Sequence, residues 1–254
     1  MIIDRIWAAF IFFTRLPFWR LRQPPRECYT SVVEWWPLVG WLTAAVMAGT
    51  LYFGSFFLPW PLAVLLAIAM RMMLTGAFHE DGLADFFDGF GGGGNDRERI
   101  LRIMKDSHIG TYGVLSLVVY VGLLFFALFS MGPIMAALTI LAVDPYAKML
   151  SAQLVMMLPY ARNEETSKAH NVYRRMNTRA GILLAVQGLL PIGIYCYFLH
   201  TVVDWQLLMV IPCLTMFFLY RLIWSRLRGY TGDCCGALFL LVELAAYLAV
   251  CIAR

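Results

Sequence analysis

The sequence predicts an all-α fold of the polytopic integral membrane class: a helical bundle of about seven transmembrane helices with an N-terminal interfacial helix. Composition is the first reason. Of 254 residues, 61% are hydrophobic and 14% charged, whereas an average soluble domain carries roughly 25% charged residues. A soluble globule has too little interior for that much apolar surface, and disorder requires the opposite composition. The second reason is length. Seven apolar stretches, 33–57, 61–78, 112–131, 134–158, 181–199, 205–224 and 235–252, suit the roughly 20 residues that cross a bilayer as a helix. They lack the strict alternation of membrane β-barrel strands. The third reason is the segregation of charge.

The apolar stretch 6–13 is short and leads into Thr14-Arg15-Leu16-Pro17, not a small-residue cleavage site. It reads as a helix lying at the membrane surface and not as a signal peptide. The connections at 58–60, 132–133 and 200–204 are short and carry no Lys or Arg. The N-terminal segment, 80–111, 159–180 and 225–233 are longer and basic, and the alternation of spans puts them on one side. Arg71 and Lys148 fall inside spans and Arg254 lies opposite; the other Lys and Arg sit on the basic side or at its helix ends. The positive-inside rule makes Gly92 and Lys168 cytoplasmic, with Gly132 and Arg254 outside. The net charge of +4 then faces anionic lipid headgroups or a phosphorylated ligand, with no need for nucleic acid. The six cysteines form no C-x-x-C pair and read as small hydrophobes, not as a disulfide frame or zinc site. With no repeat or linker, residues 1–254 read as a single integral membrane domain.

The most informative segment is Thr75-Gly76-Ala77-Phe78-His79-Glu80-Asp81-Gly82-Leu83-Ala84-Asp85-Phe86-Phe87-Asp88-Gly89, at the cytoplasmic end of the second span. Asp81, Asp85 and Asp88 stand at i, i+4 and i+7, within about 60° of one another on a helix. Leu83, Phe86, Phe90 and His79 project from the opposite face. Three like charges on one helix face repel, and desolvation near hydrocarbon adds to the cost. A divalent cation relieves both. Oxygen ligands suit Mg²⁺ or Mn²⁺, with substrate phosphates completing the shell. A solvated acidic patch is the competing account.

Other polar corners accompany this one. The run Gly89-Phe90-Gly91-Gly92-Gly93-Gly94 follows a helix instead of a strand. It reads as a flexible turn whose N–H groups approach phosphate, or as a plain turn. Lys105 and Arg102 suit phosphate binding or a solvated basic loop, and Asp106 sits beside Gly110 and Gly113 at the mouth of the third span. Arg228-Gly229-Tyr230-Thr231-Gly232-Asp233 enters the seventh span, where Asp233 ligands metal, positions substrate or caps the helix. Glu80 is either a supporting residue of the site or faces the headgroups. Asp144 and Lys148, at i and i+4 inside the fourth span, neutralise each other.

Together these residues resemble the cobalamin synthase family, the adenosylcobinamide-GDP ribazoletransferases. The resemblance is carried by Phe13-Thr14-Arg15-Leu16-Pro17, Pro37-Leu38-Val39-Gly40, the aspartate segment 75–85 with Asp88-Gly89, Ile103-Met104-Lys105-Asp106-Ser107 with Ile109-Gly110-Thr111, Pro159-Tyr160-Ala161-Arg162, and Thr231-Gly232-Asp233 with Gly236-Ala237. It runs nearly end to end. It implies a Mg²⁺-dependent (or Mn²⁺-dependent) enzyme of a bacterial-type cytoplasmic membrane, active on the cytoplasmic side. Such an enzyme joins adenosylcobinamide-GDP to α-ribazole or its 5′-phosphate and releases GMP. The implied metal ligands are Asp81, Asp85 and Asp88, with Asp85, Asp88 and Asp106 catalytic and Asp88 taking the hydroxyl proton. Lys105, Arg102, Asp233 and Arg228 are the candidate substrate contacts. The chain departs from the family at Asp144-Pro145, where Ser-Arg is usual, at Arg228-Gly229-Tyr230, and at Leu240, where Glu is common.

A transporter also suits seven spans with intramembrane charge. Transporter sites, however, lie near the midplane at repeat interfaces, whereas the acidic cluster here is at the membrane margin. The spacing D-G-x-x-D-x-x-D-G is also similar to part of the CDP-alcohol phosphotransferase signature, whose upstream Asp and Ala-Arg are not both present.

Overall fold

The computed structural model describes residues 2–162, 173 and 176–252. Lys168 and Arg254, used above to orient the chain, lie outside the described residues. Among the described residues the regular structure is helical, apart from one isolated bridge between Tyr160 and Tyr230. In order it comprises α1 (Ile2–Phe13), short 3₁₀ segments at Phe18–Arg20 and Arg26–Trp35, α2 (Trp36–Gly54), α3 (Trp60–Thr75), α4 (Phe78–Gly92), α5 (Arg97–Ile103), α6 (Thr111–Met131), α7 (Pro133–Met157), α8 (Thr178–Leu199), α9 (Trp205–Leu227) and α10 (Gly232–Ile252).

Six helices are long and apolar enough to cross a membrane on their own, and α3 with α4 forms a broken pair bent by 90°. The second span therefore ends at Thr75 and not at Phe78. Its 16 residues reach only about 24 Å, short of a hydrocarbon core about 30 Å thick. Two successive left-handed residues make the corner, Gly76 at φ 66° and Ala77 at φ 53°. The second is unusual for a residue with a Cβ and costs about 1–2 kcal/mol. A side chain at Gly76 would overlap that of Arg15, whose backbone N–H donates to Leu74 O at 2.7 Å. The segment after α1 thus braces the corner.

Helices α7 and α10 form the interior, mostly buried along their lengths, whereas α6, α8 and α9 are mostly exposed. Their buried residues are often small, including Ala136, Ala142, Ala147 and Ala152 of α7 and Ala237, Ala246 and Ala249 of α10. Small side chains let membrane helices approach closely where lipid offers no hydrophobic drive. The outer helices turn Leu, Val, Ile and Phe outward, as a lipid-facing surface requires.

Both ends of the bundle are identifiable. Trp60 Nε1 donates to Phe129 O at 2.9 Å and Ser130 Oγ meets Cys251 Sγ at 3.4 Å, so α3 begins where α6 and α10 end. At the other end, Arg97 of α5 donates to Leu227 O at 2.8 Å and to Ala161 O at 2.6 Å. The described parts of the four basic segments gather there.

Candidate functional site

The acidic helix α4 lies across this basic end. Asp81 is exposed, Asp85 half-buried and Asp88 buried, while His79 and Glu80 are covered. His79 faces away from the aspartates, as its helical position predicts. Its ring stacks with Trp36 at 5.9 Å and meets Phe239 edge-on at 4.8 Å. Glu80 is not a headgroup-facing residue; it turns into the bundle, 3.9 Å from Arg71.

Asp88 is committed to the chain itself. Its Oδ2 accepts from Gly110 N–H at 2.7 Å and its Oδ1 from Gly113 N–H at 2.8 Å. These are N–H groups at the start of α6, which a helix leaves unpaired, so the carboxylate ties α4 to α6. The glycines are required: a Cβ on Gly110 would lie 2.5 Å from Asp88 Oδ1, and one on Gly113 would overlap Oδ2. Among the described residues no three His, Cys, Asp or Glu side chains converge as a metal centre. The exposed and half-buried members of the stripe, Asp81 and Asp85, are the carboxylates turned outward.

The glycine run differs from the expected turn. Gly89 to Gly92 are helical, and only the chain from Gly93 turns, with Gly94 at φ 63°. The physical reason is the packing of α5. A Cβ on Gly89 would lie 2.5 Å from Met104 Cγ, and one on Gly93 would overlap Ile100. Asp96 starts α5 by accepting from Glu98 N–H at 3.0 Å and Arg99 N–H at 3.1 Å, a standard N-cap. Arg102 and Lys105 are exposed on and after this helix. Asp106 is exposed too, and its Oδ1 contacts His108 Nδ1 at 2.7 Å and accepts from His108 N–H at 3.0 Å. Those bonds hold its carboxyl below the usual carboxylate range. Asp88, Asp106, His108, Gly110 and Tyr112 line an open cavity of about 270 Å³.

The start of α10 completes the site. A Cβ on Gly82 would lie 3.1 Å from Asp233 Cα, so α4 and α10 touch where a glycine permits it. Asp233 Oδ2 is 3.6 Å from Arg162 Nη2. The capping role belongs to Thr231, whose Oγ1 accepts from Cys234 N–H at 3.3 Å. Arg228 is exposed, in the left-handed region at φ 52°, with its guanidinium 5.1 Å from the Trp224 ring centre. Arg162 was quoted above only as part of a motif; its burial and position are visible only in three dimensions.

The charges inside the bundle are paired. Arg71 Nη1 donates to both oxygens of Glu243 at 2.6 Å, Arg71 Nη2 donates to Tyr120 Oη at 2.7 Å, and Tyr247 donates to Glu243 at 2.9 Å. Lys148 pairs with Asp144 as the spacing suggests, and Thr43 donates to Asp144 at 2.9 Å. Lys148 Nζ also lies 3.9 Å from the Phe239 ring centre. Gly40 is needed here, because a Cβ would lie 2.9 Å from Asp144 Oδ1. A cavity of about 610 Å³ between α2, α7 and α8 is lined by apolar groups such as Trp41, Leu138, Leu141, Pro191 and Phe198. It faces the bilayer and holds none of the candidate residues.

This is a polytopic helical membrane protein whose acidic helix α4 and basic segments share one end. Residues 5–251 match the cobalamin-5-phosphate synthase family, and the chain belongs to it, an enzyme of cobalamin synthesis. Among similar proteins, the adenosylcobinamide-GDP ribazoletransferase of Leptospira interrogans is 32% identical, over 97% of this chain and 94% of its own. That of Shewanella baltica is 33% identical, over 96% and 92%. That of Vibrio parahaemolyticus is 34% identical, over 94% and 89%. No solved structure matches.

Proposed function

We propose that the chain transfers the adenosylcobinamide-phosphate group of adenosylcobinamide-GDP to the ribose 3′-hydroxyl of α-ribazole or its 5′-phosphate, releasing GMP. The reaction takes place on the cytoplasmic side of a bacterial-type inner membrane. One observation carries the reading. A chain matched almost end to end by adenosylcobinamide-GDP ribazoletransferases turns Asp81 and Asp85 outward at the bundle end where its basic segments gather. The intramembrane charges, by contrast, are closed by partners, which speaks against a carrier with a midplane site.

The residues fit a hard divalent cation. Asp81 and Asp85 are one helical turn apart and offer oxygen donors only. Mg²⁺ is commonly held by one or two carboxylates, with water and substrate phosphate filling the shell. Asp81 and Asp85 would hold Mg²⁺ or Mn²⁺ there, and the ion would supply charge neutralisation to the diphosphate when bound. Asp81 and Asp85 hold and orient that charge. Asp88 acts through Gly110 and Gly113: it fixes the distance between α4 and the segment that carries Lys105 and Asp106. We assign Asp88 this tie in place of the metal-holding and proton-accepting roles expected from the sequence, because both of its oxygens accept backbone N–H groups. The ribazole oxygen bonds to the phosphorus that bears cobinamide, the bond to the GMP oxygen breaks, and the hydroxyl proton passes to water. Such transfers demand positioning and charge neutralisation above all.

The test is direct. Purified full-length protein in nanodiscs, given adenosylcobinamide-GDP, α-ribazole 5′-phosphate and Mg²⁺, should release GMP, and EDTA should stop it. No GMP with either Mg²⁺ or Mn²⁺ would overturn the reading.

A further inference from the structure

Arg162 is a buried guanidinium with too few partners. Its side chain is 5% exposed, and Nε and Nη2 make no hydrogen bond among the described residues. Asp233 Oδ2, 3.6 Å from Nη2, is within ion-pair range and beyond a hydrogen bond. Buried N–H groups left unmatched are costly, and guanidinium is among the costliest. Native proteins keep few of them, and such exceptions require a reason.

The backbone holds this side chain in place. Tyr230 N–H donates to Pro159 O at 2.9 Å and Ala161 N–H to Tyr230 O at 2.8 Å. Arg97 donates to Ala161 O at 2.6 Å. A Cβ on Gly229 would lie 2.7 Å from Pro159 O, so only glycine allows the strands of this bridge to close. Two residues past Tyr230, α10 begins. Its first turn carries the positive end of a 21-residue helix, a natural seat for an anion. The same turn touches α4 at Gly82, between Asp81 and the rest of the acidic face.

We propose that Arg162 and the start of α10 form a phosphate-binding subsite beside the α4 carboxylates. The Nε and Nη2 edge of a guanidinium matches two oxygens of one phosphate, which lysine cannot do. Resting on the reading above, the ligand class is the diphosphate of a nucleoside-diphosphate-activated substrate. The cationic grip then stands on one side of the transferred group and the carboxylate pair on the other.

The experiment uses full-length protein in nanodiscs, with GDP and inorganic pyrophosphate as probes, each with and without Mg²⁺. Calorimetry should show wild-type binding. Arg162→Met should weaken it about 10- to 100-fold, and Arg162→Lys should recover only part. Without ligand, Arg162→Met should melt at the wild-type temperature or above, because an unmatched buried charge has been removed. Equal binding by wild type and Arg162→Met overturns the subsite, as does a wild type that binds neither probe. A lowered melting temperature with the ligand-induced shift intact also overturns it, since that is a purely structural ion pair. If Arg162→Met does not fold, Arg162→Lys decides: wild-type affinity for both probes overturns the subsite. The two readings fail separately. Arg162-dependent probe binding without GMP release would sink the activity and leave the subsite. Turnover with an unchanged KM in Arg162→Met would sink the subsite and leave the activity.

Discussion

Two groups of charges in this molecule are built differently. In the bundle interior, Arg71 with Glu243, Tyr120 and Tyr247, and Lys148 with Asp144 and Thr43, form closed sets. At the basic end, Asp81 is exposed, and Nε and Nη2 of the buried Arg162 side chain make no hydrogen bond among the described residues. The interior sets answer a demand of the solvent: in hydrocarbon an ionised side chain persists only with its counter-charge. The end of the bundle is under no such demand. Polar groups left incomplete there are available to a ligand. Burial by itself is therefore a poor guide to function in this protein: Arg71 and Arg162 are both buried side chains, and their partners differ.

The largest effect expected from breaking this contrast is structural. Arg71→Met or Glu243→Gln alone should destabilise the bundle by about 3–5 kcal/mol, because each strands a buried partner. Thermal unfolding in nanodiscs measures it, and the double variant should recover much of the loss. Recovery by the double variant with activity abolished would mean that the pair does more than hold the bundle. Next, Asp81→Asn or Asp85→Asn should lower turnover at least about 100-fold, or roughly 2.7 kcal/mol, with unfolding unchanged. Normal turnover and Mg²⁺ dependence in both would make the stripe a solvated patch.

Asp88→Asn sharpens the contrast, since Asp88 stands between the groups. It places an amide N–H₂ against a backbone N–H of Gly110 or Gly113, so stability should fall by about 1–3 kcal/mol. Turnover should fall with it, as α4 loses its tie to α6. A turnover loss with no loss of stability would return Asp88 to the metal or to the proton. The smallest effect belongs to Asp106 and His108. The Asp106 carboxyl is held below the usual carboxylate range by His108, so any stabilisation is present above the ordinary aspartate range and lost as pH falls through and below it. The pair is exposed and screened. His108→Ala should therefore melt with wild type at pH 5 and pH 7, and a difference at pH 7 would reveal a contact beyond this pair.

Much of the architecture was legible in the chain. Hydrophobic length marked the spans, and the face of α4 that buries His79 followed from helical periodicity. The i, i+4 spacing of Asp144 and Lys148 foretold their pairing. The corner at Gly76 and Ala77 was not legible, because a left-handed alanine has no local signature and is held by tertiary contact with the segment after α1. Glu80 was ambiguous for a related reason: its partner Arg71, which also binds Glu243, is brought to it by the corner between α3 and α4. The glycine run misled because its glycines were read for flexibility, when close approach of Ile100 and Met104 demands them.

What the sequence determined by itself was the solvent of the fold and the chemistry of its polar residues. An apolar chain with segregated charge must place its helices in a membrane, and oxygen-rich motifs must lie at its margin. What only the tertiary structure decided was which polar groups are already satisfied. Asp88 has the same carboxylate as Asp81, yet two backbone N–H groups from α6 engage it. Arg162 has the same guanidinium as Arg71, yet among the described residues no carboxylate grips it as Glu243 grips Arg71. Hydrogen-bond satisfaction depends on neighbours brought together from distant parts of the chain, and composition and spacing carry no record of them.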